Sequence, residues 1–306
     1  MSIGSPLATY PRFLRWAVGA ATDGDLVLVE LAYAGRGGAH APKRGVIKEV
    51  VGRENDPRAA SILAMHTHGI QVGFNEEEER QASAAEPADL KGRTDLRKLP
   101  LVTIDPEDAR DHDDAVFAQP DDDPANKGGW RVWVAIADVS HYVTPGSALD
   151  RGAYKRGNST YFPDRVAPML PESLSADLCS LREHEDRACL AVEMVFDKHG
   201  KKLKHKFARG LMRSAGKLSY DAAQAAIDGK PNDKTGPLLE PILKPLWAAY
   251  RTVWEAREKR QPLEIDAPEH KIVFKDGKVA GVKQRERFEA HKLIEEFMIQ
   301  ANVAAA

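Results

Sequence analysis

TIDPEDARDHDDAVFA, residues 103–118, sets a strand-like apolar segment against a run of acids. Val102, Thr103 and Ile104 lead into Asp105, and Ala115, Val116 and Phe117 resume the apolar pattern after Asp114. Between them stand Asp105, Asp111, Asp113 and Asp114, interspersed with Glu107, Asp108 and His112. A merely solvated turn does not need core-type residues on both flanks, so several of these aspartates are expected beside the core. Carboxylates crowded within a few ångströms repel, and one or more takes up a proton unless a cation lies among them. A bent loop offering several oxygen ligands suits a hard divalent ion.

Two other acidic devices fit less well. The Ca²⁺ loop of an EF-hand needs glycine at its sharp turn and glutamate as its last ligand, and neither falls in register here. A nucleophilic-aspartate phosphatase places Asp-x-Asp after an apolar strand, whereas this pair follows a turn and no glycine-rich phosphate loop comes after it. Mg²⁺-assisted phosphoryl chemistry is better supported, since such ions generate hydroxide from water and stabilise in-line displacement at phosphorus.

The chain around this stretch has 306 residues, enough for more than one domain and a sizeable core. Hydrophobic residues make up 42% and charged residues 29%, as in an ordinary soluble protein. No apolar run approaches a membrane span, and the N-terminus lacks a basic-then-apolar leader, so a cytoplasmic location is expected. A net charge of -2 gives no global sign of a nucleic-acid partner. Basic clusters at 201–213 and 257–261 are most simply solvated faces. Cys179 and Cys189 lack metal-ligand spacing and are expected in the core.

Residues 23–35 and 42–53 read as strands and 56–70 as a short helix, with Asp56 its N-cap and Gly69 its stop. This region, 1–75, is expected to be a partial OB-like domain, and 76–92, acidic and then Ala-rich, a linker. From 93 to 306 a larger domain begins. Strands are expected near 99–105 and 130–143, and a hairpin turns at Lys198-His199-Gly200-Lys201. Ser219 and Asp221 open a helix that Gly229 closes, a longer helix covers 237–260, and a second hairpin turns at Asp276-Gly277. The last segment is an amphipathic helix whose apolar face is Leu293, Ile294, Phe297, Met298 and Ala301. It reaches Ala306 without a stop signal, which suggests that its packing partner lies in sequence that is absent.

RTDLRKLPLVTIDPEDARDHDDAVFA (93–118), the long run from Val134 to Arg182, and HKLIEEFMIQAN (291–302) together resemble the catalytic domain of the ribonuclease II / ribonuclease R family. The YFPDR run at 161–165 is closer to the ribonuclease R branch. The resemblance implies an α+β fold, a mixed sheet covered by helices, with the acidic loop at the bottom of a channel. It implies a processive Mg²⁺-dependent exoribonuclease that degrades single-stranded RNA from its 3′ end to nucleoside 5′-monophosphates, acting as a monomer without a membrane partner. The family's four catalytic aspartates fall on Asp105, Asp111, Asp113 and Asp114. Of these, Asp105, Asp111 and Asp114 are the implied metal ligands, and Asp113 is the one whose loss should most hurt chemistry while sparing RNA binding. Tyr161 is the implied stacking partner of the 3′-terminal nucleotide, as aromatic faces are sequence-tolerant platforms for single strands. Tyr220 is a further RNA-contact candidate. The functional glutamate of the last motif falls on Glu295 or Glu296. His112 is not a family ligand.

The chain also departs from the family. Residues 1–20 do not read like the first strands of a cold-shock barrel, and a later motif carrying an arginine against the scissile phosphate does not occur in the sequence. Electrostatic stabilisation by such a group is often worth several kcal/mol. The chain therefore reads as a fragment of a ribonuclease R-like enzyme, its metal site at least partly encoded and full processive activity not expected from it alone. Two other readings compete: a non-catalytic RNA-binding module, and a Ca²⁺-stabilised structural domain.

Overall fold

The protein is seen in a computed structural model that describes residues 21–32, 44–53, 57–263, 270–275, 278–284 and 286–306. The chain forms two compact units. One comprises Met1–Val72, Thr160–Ala167 and Lys271–Lys283, and the other Gly73–Ser159, Pro168–His270 and Gln284–Ala306.

In the first unit, β1 (Asp25–Ala32) and β2 (Arg44–Arg53) pair antiparallel, with register shifts at Leu26/Val27 and Leu28/Val29. Helix α1 (Pro57–Thr67) follows, burying Ala59 and Met65, and Gly69 beyond its end adopts φ +65° as expected of a stop. An OB-like barrel is not established by one strand pair and a helix. Residues 1–20, which do not read like the first strands of such a barrel, and the expected cap Asp56 lie outside the described residues.

The stretch expected as a linker is structured at its start. Helix α2 (Glu76–Ser83) opens on a capping box, in which the Glu78 N–H donates to Asn75 Oδ1 (2.9 Å) and the Asn75 N–H to Glu78 Oε2 (2.8 Å). Four glutamates in its first turn complement the positive end of the helix dipole. Glu78 is buried and receives Arg156 at 2.7 Å, while Arg156 also lies over the Phe74 ring.

A seven-stranded sheet organises the second unit. Its members are β3 (Thr94–Asp95), β4 (Val102–Asp105), β5 (Asp114–Pro120), β6 (Trp130–Ala137) and, later in the chain, three more. Helix α3 (Ala148–Arg156), capped by Ser147, leads to the short hairpin β7 (Thr160–Tyr161) and β8 (Val166–Ala167), which belongs to the first unit. Strands β9 (Asp186–Phe196), β10 (Lys202–Arg213) and β11 (Gly216–Ser219) complete the sheet. The order is β11-β4-β5-β6-β9-β10-β3. The outermost pairs are parallel and the inner ones antiparallel. The β9–β10 hairpin turns where expected, with Gly200 at φ +78°.

Helices pack on this sheet. Ser219 caps α4 (Tyr220–Ile227), and Gly229 follows it at φ +88°. The helix expected over 237–260 is interrupted. It runs as α5 (Gly236–Leu238), a π turn at Leu239–Leu243 and α6 (Lys244–Glu258). Pro241 and Pro245 lack the N–H that a regular helix requires, which accounts for the irregular turn. Leu246, Trp247, Ala249, Tyr250 and Val253 of α6 are buried at helical spacing. Strands β12 (His270–Lys275) and β13 (Lys278–Gln284) pair as expected, and their turn at Asp276-Gly277 lies outside the described residues. Helix α7 (Glu289–Ala305) buries Leu293, Ile294 and Phe297, whereas Met298 and Ala301 are only half-buried against the core. Val116, Val134, Val192 and Met194 lie at the centre of the core. Cys179 and Cys189 are buried free thiols, each pushed up to about 12 by burial. No described helix is long and apolar enough to cross a membrane.

Candidate active site

The strands bring the acids together. Val102–Asp105 is buried along its whole length, so Asp105, at 9% exposure, is carried to the sheet's end by residues fixed in the core. Asp114 opens β5 opposite Ile136, and the Ala137 N–H donates to the Asp113 carbonyl at 2.8 Å. The loop between is turned by the Ala109 N–H donating to Pro106 C=O (3.0 Å), and Lys217 Nζ reaches Ala109 C=O (3.3 Å). Asp105 is buried, Asp111 and Asp114 are half-buried, and Asp113 keeps an open face. The loop is therefore graded in burial rather than uniformly submerged.

The electrostatics follow from that placement. Burial, then the charges of Asp105 and Asp113, push the Asp114 carboxyl up to about 7. Asp113 is raised by the protein packed around it, then by Asp111 and Asp105. Asp114 Oδ2 is buried without a hydrogen-bond partner among the described residues. Such an atom is costly unless something positive meets it. Among the described residues no group of three or more His, Cys, Asp or Glu side chains stands in metal-holding geometry. The chemistry of the donors nevertheless fits a hard cation such as Mg²⁺: an all-oxygen set, one oxygen of it buried and unpartnered, and two carboxyls driven toward protonation without a counter-charge.

Sequence reasoning passed over two supporting residues. His112, 2% exposed, places Nδ1 2.8 Å from Asp105 Oδ2. Asp138, 1% exposed and next to Ala137, receives Arg93 at 2.8 Å, Arg209 at 2.7 Å and Ser140 at 2.7 Å. Burial opposes ionisation of Asp138, but the hydrogen bonds from Arg209, Ser140 and Arg93 prevail and hold its carboxyl well below the usual range. The only local signal was an aspartate ending an apolar strand, because Arg93 and Arg209 come from distant sequence.

The remaining candidates have distinct surroundings. Ser219 is the register partner of Asp105, so Tyr220, one residue on, starts α4 at the carboxylate end of the sheet. Its ring stacks on His291 with centroids 3.9 Å apart and planes 15° apart. Glu296 is buried, 3.0 Å from Arg257 and 2.8 Å from Gln300 Nε2. Glu295 is half-buried and pairs with Arg287 at 2.6 Å. Tyr161 is 64% exposed and belongs to the first unit. Beside it, Ser61 hydrogen-bonds Asp164, whose other oxygen receives Arg165 Nε at 2.9 Å.

A model of the RNB domain matches residues 93–306. The chain belongs to the RNB family. Within it, ribonuclease R of Vibrio parahaemolyticus is 42% identical over 290 residues, covering 92% of this chain and 34% of the relative. Ribonuclease R of Escherichia coli K12 is 42% identical over 269 residues, covering 86% of this chain and 32% of the relative. This RNB protein thus spans about a third of the length of the curated relatives it matches. Mycoplasma genitalium RNase R, solved in complex with ribose methylated single-stranded RNA, superposes with a TM-score of 0.84 at 24% identity, over 96% of this chain and 46% of that one. That likeness shows the fold: the seven-stranded mixed sheet and its helices are those of RNase R.

Proposed function

We propose that this RNB chain carries the hydrolytic centre of a 3′-to-5′ exoribonuclease, which cuts single-stranded RNA to nucleoside 5′-monophosphates with Mg²⁺. The observation that carries the reading is the buried, unpartnered Asp114 Oδ2 within a carboxylate set whose members suppress one another's ionisation. When bound, Mg²⁺ supplies positive charge to the scissile phosphate and lowers the pKa of water. Asp105, Asp111 and Asp114 are the residues that would hold it. Asp113, the most open of the four, is the residue whose loss should most hurt chemistry while sparing RNA binding. Tyr161 is the residue to stack on the 3′-terminal nucleotide, and Tyr220 is a further RNA contact. An OB-like region over 1–75 would hold RNA ahead of the catalytic domain that starts at 93.

Release of 5′-monophosphates from a single-stranded oligoribonucleotide, with and without Mg²⁺, tests this. Wild type is expected to show Mg²⁺-dependent release, and Asp113→Asn to lose it by at least about a hundredfold, while RNA retention is kept. Equal rates for the two proteins would remove the catalytic reading. A second reading, a non-catalytic RNA-binding module, is favoured by the absence, among the described residues, of three or more acidic or histidine side chains in metal-holding geometry. RNA retention indifferent to EDTA, without mononucleotide release, is its signature.

A further inference from the structure

His112 sits in the middle of the acidic loop and is the most deeply buried residue there, 2% exposed between an Asp111 that is half-buried and an Asp113 that is open. A histidine so placed needs partners for both its backbone and its ring. Its N–H donates to Ser180 Oγ at 3.1 Å, and its carbonyl accepts the Leu181 N–H at 2.8 Å. Both backbone groups are thus fastened to one neighbouring segment. The ring turns the other way, toward Asp105, with Nδ1 at 2.8 Å from Oδ2. Against an ionised carboxylate the ring nitrogen is the donor.

We infer that His112 is a positioning residue: it clamps the Asp105 carboxylate through Oδ2 and so limits the orientations in which that carboxylate could serve a metal. The inference rests on the metal-centre reading above. Three parts of the site meet at this one residue: the end of β4 through the ring, the loop carrying Asp111 and Asp113 through the chain, and the Ser180–Leu181 segment through the backbone hydrogen bonds. An aspartate side chain has two torsions, and a hydrogen bond to one oxygen narrows the orientations that burial alone leaves open to Asp105. Partners of this kind, which touch a ligand and not the metal, set ligand orientation and affinity.

The test compares four forms of the full chain. His112→Phe keeps the ring volume in the buried site but has no donor, and His112→Leu is a second donor-free form in case the first does not fold. His112→Asn places an amide nitrogen close to where Nδ1 stood and restores a donor. The probe is Mn²⁺, its free concentration read by electron paramagnetic resonance without RNA, together with the thermal midpoint of each metal-free protein. The donor-free variants are expected to bind Mn²⁺ about 10- to 100-fold more weakly and to melt below wild type, since Asp105 Oδ2 loses its donor, with His112→Asn recovering most of both losses. Donor-free variants that bind Mn²⁺ as wild type does would overturn the clamp and leave the metal centre standing. An asparagine as weak as phenylalanine would also overturn it, because packing rather than the hydrogen bond would then be at work. Wild type that takes up no Mn²⁺ would sink the metal centre and the clamp together.

Discussion

At the scale of single residues, Asp114 is the group whose environment and charge are most at odds. Its carboxyl titrates near 7 because it is buried first and faces Asp105 and Asp113 second. The folded chain holds this proton through a range in which the unfolded chain has released it. Its contribution to stability is therefore fully present below about pH 4, falls as pH rises toward 7, and is level beyond. In metal-free protein, Asp114→Asn is expected to raise the melting temperature more at pH 8 than at pH 5, by a difference on the order of 2 kcal/mol, or about 4–8 °C. Thermal scans of both proteins at the two pH values check this, and parallel profiles would contradict it. The crowding itself was legible, since four aspartates between apolar flanks can be read straight off residues 103–118. The contact of His112 with Asp105 was not, because seven residues separate the two and only the reversal of the loop brings them together.

Among the elements, α7 separates two adjacent glutamates that the sequence leaves equivalent. Glu296 points into the core and is held by Arg257 and Gln300, while Glu295 stays at the flank with Arg287. Glu296→Ala removes the carboxylate 3.0 Å from the mostly buried Arg257 guanidinium, which keeps Glu295 at 4.0 Å, and is expected to cost about 1–3 kcal/mol. Glu295→Ala removes a more exposed ion pair and is expected to cost about 1 kcal/mol or less. Urea unfolding of the two variants distinguishes them, and comparable losses would mean that the pairing of Glu296 has been overvalued. Of the two, Glu295 is the more exposed. Helix α2 teaches the converse lesson. Its capping box, Asn75 with Glu78, was present in the sequence, but the acidic run around it looked like solvated linker. What makes it structure is Arg156, which comes from α3 and leaves no local trace.

For the whole molecule, the local strands and most helix ends could be read from periodicity and caps, whereas the sheet order could not. β11 lies beside β4 although more than a hundred residues separate them, and this parallel pairing is what puts Tyr220 at the carboxylate end. No spacing rule predicts a pairing made by long-range packing. On the proposed metal centre, divalent metal acts as a stabilising ligand of the native state. Mg²⁺ at a hundred times its Kd is expected to add about 2.7 kcal/mol, seen as a rise in melting temperature that KCl at equal ionic strength does not reproduce and that Asp105→Asn abolishes. A melting temperature indifferent to Mg²⁺ would count against the centre.

Cys179 and Cys189 give the same fold an internal clock. Sealed in the core and reluctant to become thiolates, they are silent toward alkylating reagents for as long as the interior stays shut. The pace at which each sulfur becomes reactive therefore reports how often the core around it opens, beside the Leu174–Leu178 turn for Cys179 and within β9 for Cys189.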